Sequence, residues 1–232
     1  LQTATAANNT AVGTYALYNT TTGGENTAVG RGALQINVSG AYNTSVGKNA
    51  LYANTTGASN VAVGKDALTA NTTGGGHVAV GKNALLANTT GSENTAIGYE
   101  ALKTANGSDA DYNTAVGSEA LKLSTDGDRN TAVGWRALTN NTTGHKNTAI
   151  GIESLYTSTT ADNNTAIGRR ALYSSTTGSN VTAVGCNALY SNTTGANNTA
   201  IGMQSLENNT TASDNTAVGY AALGANTSGT QN

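Results

Sequence analysis

The chain has 232 residues, with neither proline nor phenylalanine, 29 glycines, and only 10% of its residues charged. A formal net charge of −2 gives no cationic footprint for nucleic acid or an anionic membrane surface, and no apolar run approaches the roughly 20 residues of a membrane span. One cysteine, Cys186, excludes an internal disulfide framework.

From its first residues onward the chain is a tandem repeat. Glycine recurs every 17 residues at Gly13, Gly30, Gly47, Gly64, Gly81 and Gly98. After one 19-residue step the series resumes at Gly117, Gly134, Gly151, Gly168, Gly185, Gly202 and Gly219. Each glycine lies in a cassette N-T-A-V-G-x-x-A-L-x-x-N-T-T-G-x-x. A short period held from end to end predicts a stack of one unit. Leu1 falls in mid-repeat and Asn232 falls where another cassette would start. Residues 1–232 therefore read as a single repeat domain, an uncapped segment of a longer repetitive chain.

Within each cassette the residue before the glycine is always Val or Ile, and the one before that is Ala except at Ser45. The fourth residue after the glycine is always Leu. A β-branched residue followed by glycine suits a short strand ending in a tight corner, and Asn-Thr-Thr-Gly supplies turn chemistry. A single helical turn over G-x-x-A-L is the competing reading. Two short strands per unit predict an all-β chain, a parallel β-solenoid or β-roll of about 13 coils with 17 residues per coil, stacked about 4.8 Å apart. Columns of Val/Ile and Leu are expected to form its apolar spine. Neighbouring strand residues point to opposite faces, so the pairs Ala-Val and Ala-Leu put apolar groups on both sides. The second side calls for cover by further copies of the chain, unless the coil turns both residues inward. The two-residue insertion, within Lys103–Tyr112, is expected to bulge outward.

The cassette, as in Asn26-Thr27-Ala28-Val29-Gly30 and Asn94-Thr95-Ala96-Ile97-Gly98, resembles the repeats of trimeric autotransporter adhesin heads and of phage tail-fibre shafts. The resemblance covers nearly the whole chain through one short motif. It implies a left-handed parallel β-roll, three chains per fibre, and an extracellular place on a cell surface or virion. The 17-residue unit is longer than that of the adhesin heads, and no stalk coiled coil or membrane anchor is visible in this sequence.

Residues able to carry chemistry are few. His77 and His145 lie four cassettes apart, which a stack would make about 19 Å, too far to share a metal. No nucleophile elbow, Walker loop or Cys/His cluster is present. The expectation is a non-enzymatic chain without catalytic residues, metal or cofactor. Tyr156, Tyr173 and Tyr190 follow the cassette Leu in consecutive units and read either as a platform for surface glycans or as a ladder stapling coils together. Sequons recur at one corner, at Asn54, Asn71, Asn88, Asn141, Asn192 and Asn226, where the same string also encodes turns without sugar. Lys48, Lys65, Lys82, Arg169 and Arg170 follow their glycines and read as a hydrated corner; Trp135 is expected to be exposed. Paired Thr columns raise ice binding as a minor reading, weakened because consecutive Thr residues face opposite ways. The function expected is the shaft or head of an extracellular fibre that associates with itself, neither binding nucleic acid nor inserting into a membrane.

Overall fold

The computed structural model describes residues 6–107 and 110–232. It contains two compact units, Leu1–Asn113 and Thr114–Asn232. The first holds strands β1 (Thr10–Val12), β2 (Thr27–Val29), β3 (Thr44–Val46), β4 (Val61–Val63), β5 (Val78–Val80) and β6 (Thr95–Ile97). The second holds β7 (Thr114–Val116), β8 (Thr131–Val133), β9 (Thr148–Ile150), β10 (Thr165–Ile167), β11 (Thr182–Val184), β12 (Thr199–Ile201) and β13 (Thr216–Val218). Within each unit successive strands pair in parallel, residue for residue, so that Ala28 faces Ser45 and Ala132 faces Ala149. The chain is a β-solenoid with one three-residue strand per turn of about 17 residues.

Only one strand forms per turn, not the two expected from the sequence. The Leu segment is a series of turns rather than a strand or a helix, yet it stays on the ladder. Leu34 N–H donates to the Ala50 carbonyl at 3.1 Å and Leu51 N–H to the Ala67 carbonyl at 3.0 Å. This works because the backbone changes hand repeatedly. Each full turn carries four residues of positive φ, for example Gly47, Asn49, Leu51 and Ser59. Amides at Leu51 and Ala53 donate to the following turn, whereas those at Gly47 and Asn49 donate to the preceding one. Leucine in the left-handed region costs about 1–2 kcal/mol; the ladder bond and full burial of its side chain offset it.

The cassette glycine is required twice over. At Gly134 φ is +133°, and a Cβ would lie 2.6 Å from the Gly151 carbonyl oxygen one turn away. Any side chain would therefore be strained and would collide with the next turn's backbone.

The interior is built from three aliphatic columns and two amide columns. Leu17, Leu34, Leu51, Leu68 and their counterparts as far as Leu206 are fully buried, as are the Ala or Ser before each and the strand Ala of the inner turns, whereas Leu223 of the last turn is exposed. The strand Val/Ile column is not in this core. In β8 the buried residue is Ala132, while Val133 stays partly exposed; Ile97, Ile150, Ile167 and Ile201 are about 40% exposed. The apolar spine is thus Ala/Leu, and the Val/Ile column faces out. Period-two alternation forces one of the two outward, and the narrow coil takes the smaller.

Asparagine fills the rest. In the first amide column Asn26 Oδ1 accepts from Asn43 N–H at 2.9 Å, and its Nδ2 donates to the Gly40 carbonyl at 2.9 Å. In the second, Asn54 Nδ2 donates both to Asn37 Oδ1 and to the Gly57 carbonyl, each at 2.9 Å. Burying an amide is costly unless it is hydrogen-bonded, and a one-turn repeat supplies most of the partners with copies of itself; among the described residues, Oδ1 of Asn71, Asn88 and Asn141 is without one.

The insertion is absorbed between Ala105 and Ala110, both fully buried. Asn113 N–H still reaches Asn94 Oδ1 at 2.9 Å, across 19 residues instead of 17. Ser108 and Asp109, the inner part of the expected bulge, lie outside the described residues.

Candidate functional site

The most regular surface is the outer face of the strands. The N-T-A-V run turns its Ala inward, so the Thr and the Val/Ile on either side both point outward. In the second unit the Thr column is unbroken and in register through Thr114, Thr131, Thr148, Thr165, Thr182, Thr199 and Thr216. Beside it runs Val116, Val133, Ile150, Ile167, Val184, Ile201 and Val218. In the first unit Val61 and Val78 replace Thr, which makes that stretch more apolar. Strand geometry spaces the two columns about 6.6 Å apart, with members of each about 4.8 Å apart. No charged residue interrupts either column. The sequence reading missed the strand Thr residues as a surface because it looked at the paired Thr of the corner. The first Thr of each such pair is otherwise engaged: Thr55 Oγ1 donates to the Thr72 carbonyl and Thr72 Oγ1 to the Thr89 carbonyl, both at 2.9 Å.

The three tyrosines come together as a ladder. Ring centroids are 5.3 Å apart for Tyr156–Tyr173 and 5.2 Å for Tyr173–Tyr190, with interplanar angles of 11° and 7°. Tyr173 thus has an aromatic neighbour on each face. Stacking of this kind occupies the ring faces between neighbouring turns, whereas a sugar stacks on an open face. The Arg170 guanidinium lies over the Tyr173 ring, 5.6 Å from its centre, with Nε 2.7 Å from Glu153 Oε2. Burial pushes the Tyr173 phenol above its ordinary value, and Glu153 adds to the shift. The hydrogen bond to Glu153, with its charge, raises the Arg170 guanidinium. The geometry is that of a staple between turns.

The sequon asparagines form the second amide column. Asn54, Asn71, Asn88, Asn141 and Asn192 are fully buried, and Nδ2, the atom a glycan would occupy, donates to the carbonyl three residues on, as at Gly57, Gly74 and Gly144. Asn226 is half-buried and makes the same bond to Gly229 at 2.9 Å. A sugar on any of the five buried amides would displace these bonds, so at those five the geometry favours the turn reading over the glycan one.

Of the charged groups, Lys65 pairs with Asp66 at 3.2 Å and Arg136 with Glu119 at 2.9 Å, the latter guanidinium also lying 4.6 Å over the Trp135 ring centre. Trp135 is exposed as expected. Glu100 is buried and held by Lys103 at 3.0 Å. At another corner Asp128, Arg129, His145, Lys146, Asp162 and Asn163 line a shallow cleft of about 270 Å³. There His145 Nδ1 lies 2.6 Å from Asp128 Oδ1, and its backbone N–H donates to Asp162 Oδ1 at 2.7 Å. The same bond recurs one turn on, from Asp162 N–H to Ser179 Oγ at 3.0 Å. The cleft is therefore the ladder of one column, written with charged residues. Among the described residues no cluster of His, Cys, Asp or Glu is arranged to hold a metal ion.

No protein-family model, curated protein or solved structure matches the chain.

Proposed function

We propose that this chain is a structural segment of an extracellular fibre, on a cell surface or a virion, and that it works by associating with copies of itself along the strand face. The observation that carries the reading is the outward Val/Ile column, kept in register beside Thr on every strand of the second unit. A continuous apolar strip of this kind is a contact surface when it runs uninterrupted. Symmetric packing of identical strips buries it at no cost in register, because each copy has the same repeat. Three copies around one axis is the arrangement proposed, in line with the cassette's resemblance to trimeric fibre repeats. Backbone ladders around the whole turn, at corners as well as strands, fit a spacer that displays a binding tip.

The test is mass in solution. Light scattering on the 23.1 kDa chain should give a multiple near three, and the paired variant Val133→Asp/Ile150→Asp should give single chains that keep their β signal. A wild-type chain that stays single at every concentration overturns the reading.

One observation favours a second use of the same face. The unbroken Thr column of the second unit offers hydroxyls and methyls at fixed spacing, a surface able to order water and bind ice. A single-chain species that inhibits ice recrystallisation would support this reading over association; the Tyr ladder gives no comparable support to glycan binding.

A further inference from the structure

His77 is the one residue of the first amide column, among those described, that can take up a proton. It is fully buried and copies each asparagine bond with a ring atom. Its Nδ1 accepts from Asn94 N–H at 3.2 Å, where asparagine uses Oδ1. Its Nε2 lies 2.6 Å from the Gly91 carbonyl, where asparagine uses Nδ2. These two partners fix the ring as neutral, with hydrogen on Nε2 only. The nearby Asn88 Nδ2, 2.9 Å from Nε2, is a second donor converging on the same carbonyl.

A second proton would go on Nδ1 and point at the Asn94 N–H, donor against donor. The second amide column is also interrupted at this boundary. Ala105 stands where the asparagine after Asn88 would be, and Asn88 Oδ1 has no hydrogen-bond partner. Both polar columns that tie the turn of residues 77–93 to the turn of residues 94–112 are thus altered at one place.

We propose that this boundary is an acid-sensitive seam, at which protonation of His77 parts the two turns while the rest of the ladder holds. Among the described residues the ionisable groups at this corner are Asp111, whose Oδ1 accepts from Ser92 N–H at 2.6 Å, and Glu93 on the outer side, against Gly76. The Asp111 charge favours the protonated ring, but desolvation by burial is larger and holds His77 below its ordinary 6.5. In the unfolded chain the ring titrates near 6.5. Below that pH the unfolded chain binds a proton that the closed stack refuses. The seam is therefore intact above pH 6.5 and loses stability as pH falls.

Hydrogen exchange on the whole chain at pH 7.5 and pH 4.5 tests this, read as protection relative to the unstructured rate. The amides of Val78, Leu85 and Ala87, which bond across the seam, should lose protection by about tenfold or more at the lower pH. Those of Leu34 and Leu51 should not. His77→Asn restores the column asparagine and should abolish the difference. Asn147→His, in the same column of the second unit, should install a new one at its own turn. Equal acid sensitivity in wild type and His77→Asn, or undiminished protection in wild type, overturns the proposal.

Discussion

Ala132 and Val133 are neighbours in one strand, both aliphatic, yet the fold gives them opposite surroundings. Ala132 is fully buried against the Leu column, whereas Val133 looks outward beside Thr131. In a coil this narrow the inside is decided by size and by hydrogen bonding rather than by hydrophobicity. It takes Ala, Leu and hydrogen-bonded Asn, and of the two strand neighbours it leaves the larger, β-branched one to the surface; Val181, in place of an asparagine, is a buried exception. The two histidines teach the same lesson. His77, in a buried column, is held as a neutral mimic of asparagine; His145, in a corner column, sits half-exposed against Asp128. The column a residue occupies sets its chemistry.

The strongest way to break this comparison is to charge each side in turn. Ala132→Asp puts a carboxylate where no cation can reach it, a cost of several kcal/mol, and should abolish cooperative unfolding of the second unit by circular dichroism. Val133→Asp should leave the single chain's melting temperature within about 2–4 °C, its effect falling on association. Equal losses from the two substitutions would mean that inside and outside have been misassigned.

Next in size is the corner. Gly134→Ala meets both the left-handed backbone and the Gly151 carbonyl at 2.6 Å. Backbone strain of this kind is worth about 1–3 kcal/mol, or roughly 2–12 °C in a chain this long. Gly144→Ala, in the corner column where Ala110, Ala161 and Ala212 already occur, meets the Ala161 carbonyl oxygen at 2.4 Å but without a left-handed backbone, and should cost less. If it costs as much, the requirement at Gly134 is for space alone and not for φ.

Much of this architecture could be read in the residues. The 17-residue period, the buried Leu column and the glycine corner all follow from repetition and local sterics. The direction of the Val/Ile column could not be read, because alternation assigns two faces without saying which one is inside. The turn chemistry read for Asn-Thr-Thr-Gly is present, as from Asn54 to Gly57, but the cross-turn bonds of asparagine could not be read, because they run to residues 14 and 17 positions away. Those partners exist only once the turns are stacked. The left-handed leucines carry no local signal at all, since nothing in leucine favours that conformation. The Tyr ladder was foreseen as a column, but only the ring orientation separates a staple from a binding platform.

The smallest predicted effect is a gain, and it tests whether the buried amides stabilise or are merely tolerated. In the second amide column Ser158 and Ser175 replace asparagine in consecutive turns, and each hydroxyl is buried without a hydrogen-bond partner. Ser175→Asn should place a donor within reach of the Gly178 carbonyl, as Asn192 does for Gly195 at 2.9 Å. It should also offer a second donor towards Ser158 Oγ, as Asn54 does towards Asn37. One or two such bonds in a buried column are worth about 1 kcal/mol each, a rise of roughly 2–4 °C in melting temperature per bond. Ser175→Ala separates the contributions, because it removes the unpaired hydroxyl without supplying an amide. If alanine stabilises as much as asparagine, the serine was only a desolvation penalty and the column adds nothing of its own. If asparagine alone stabilises, the amide ladder holds the turns together through its own bonds, and the conversion of one of its members to histidine at His77 is felt for the same reason.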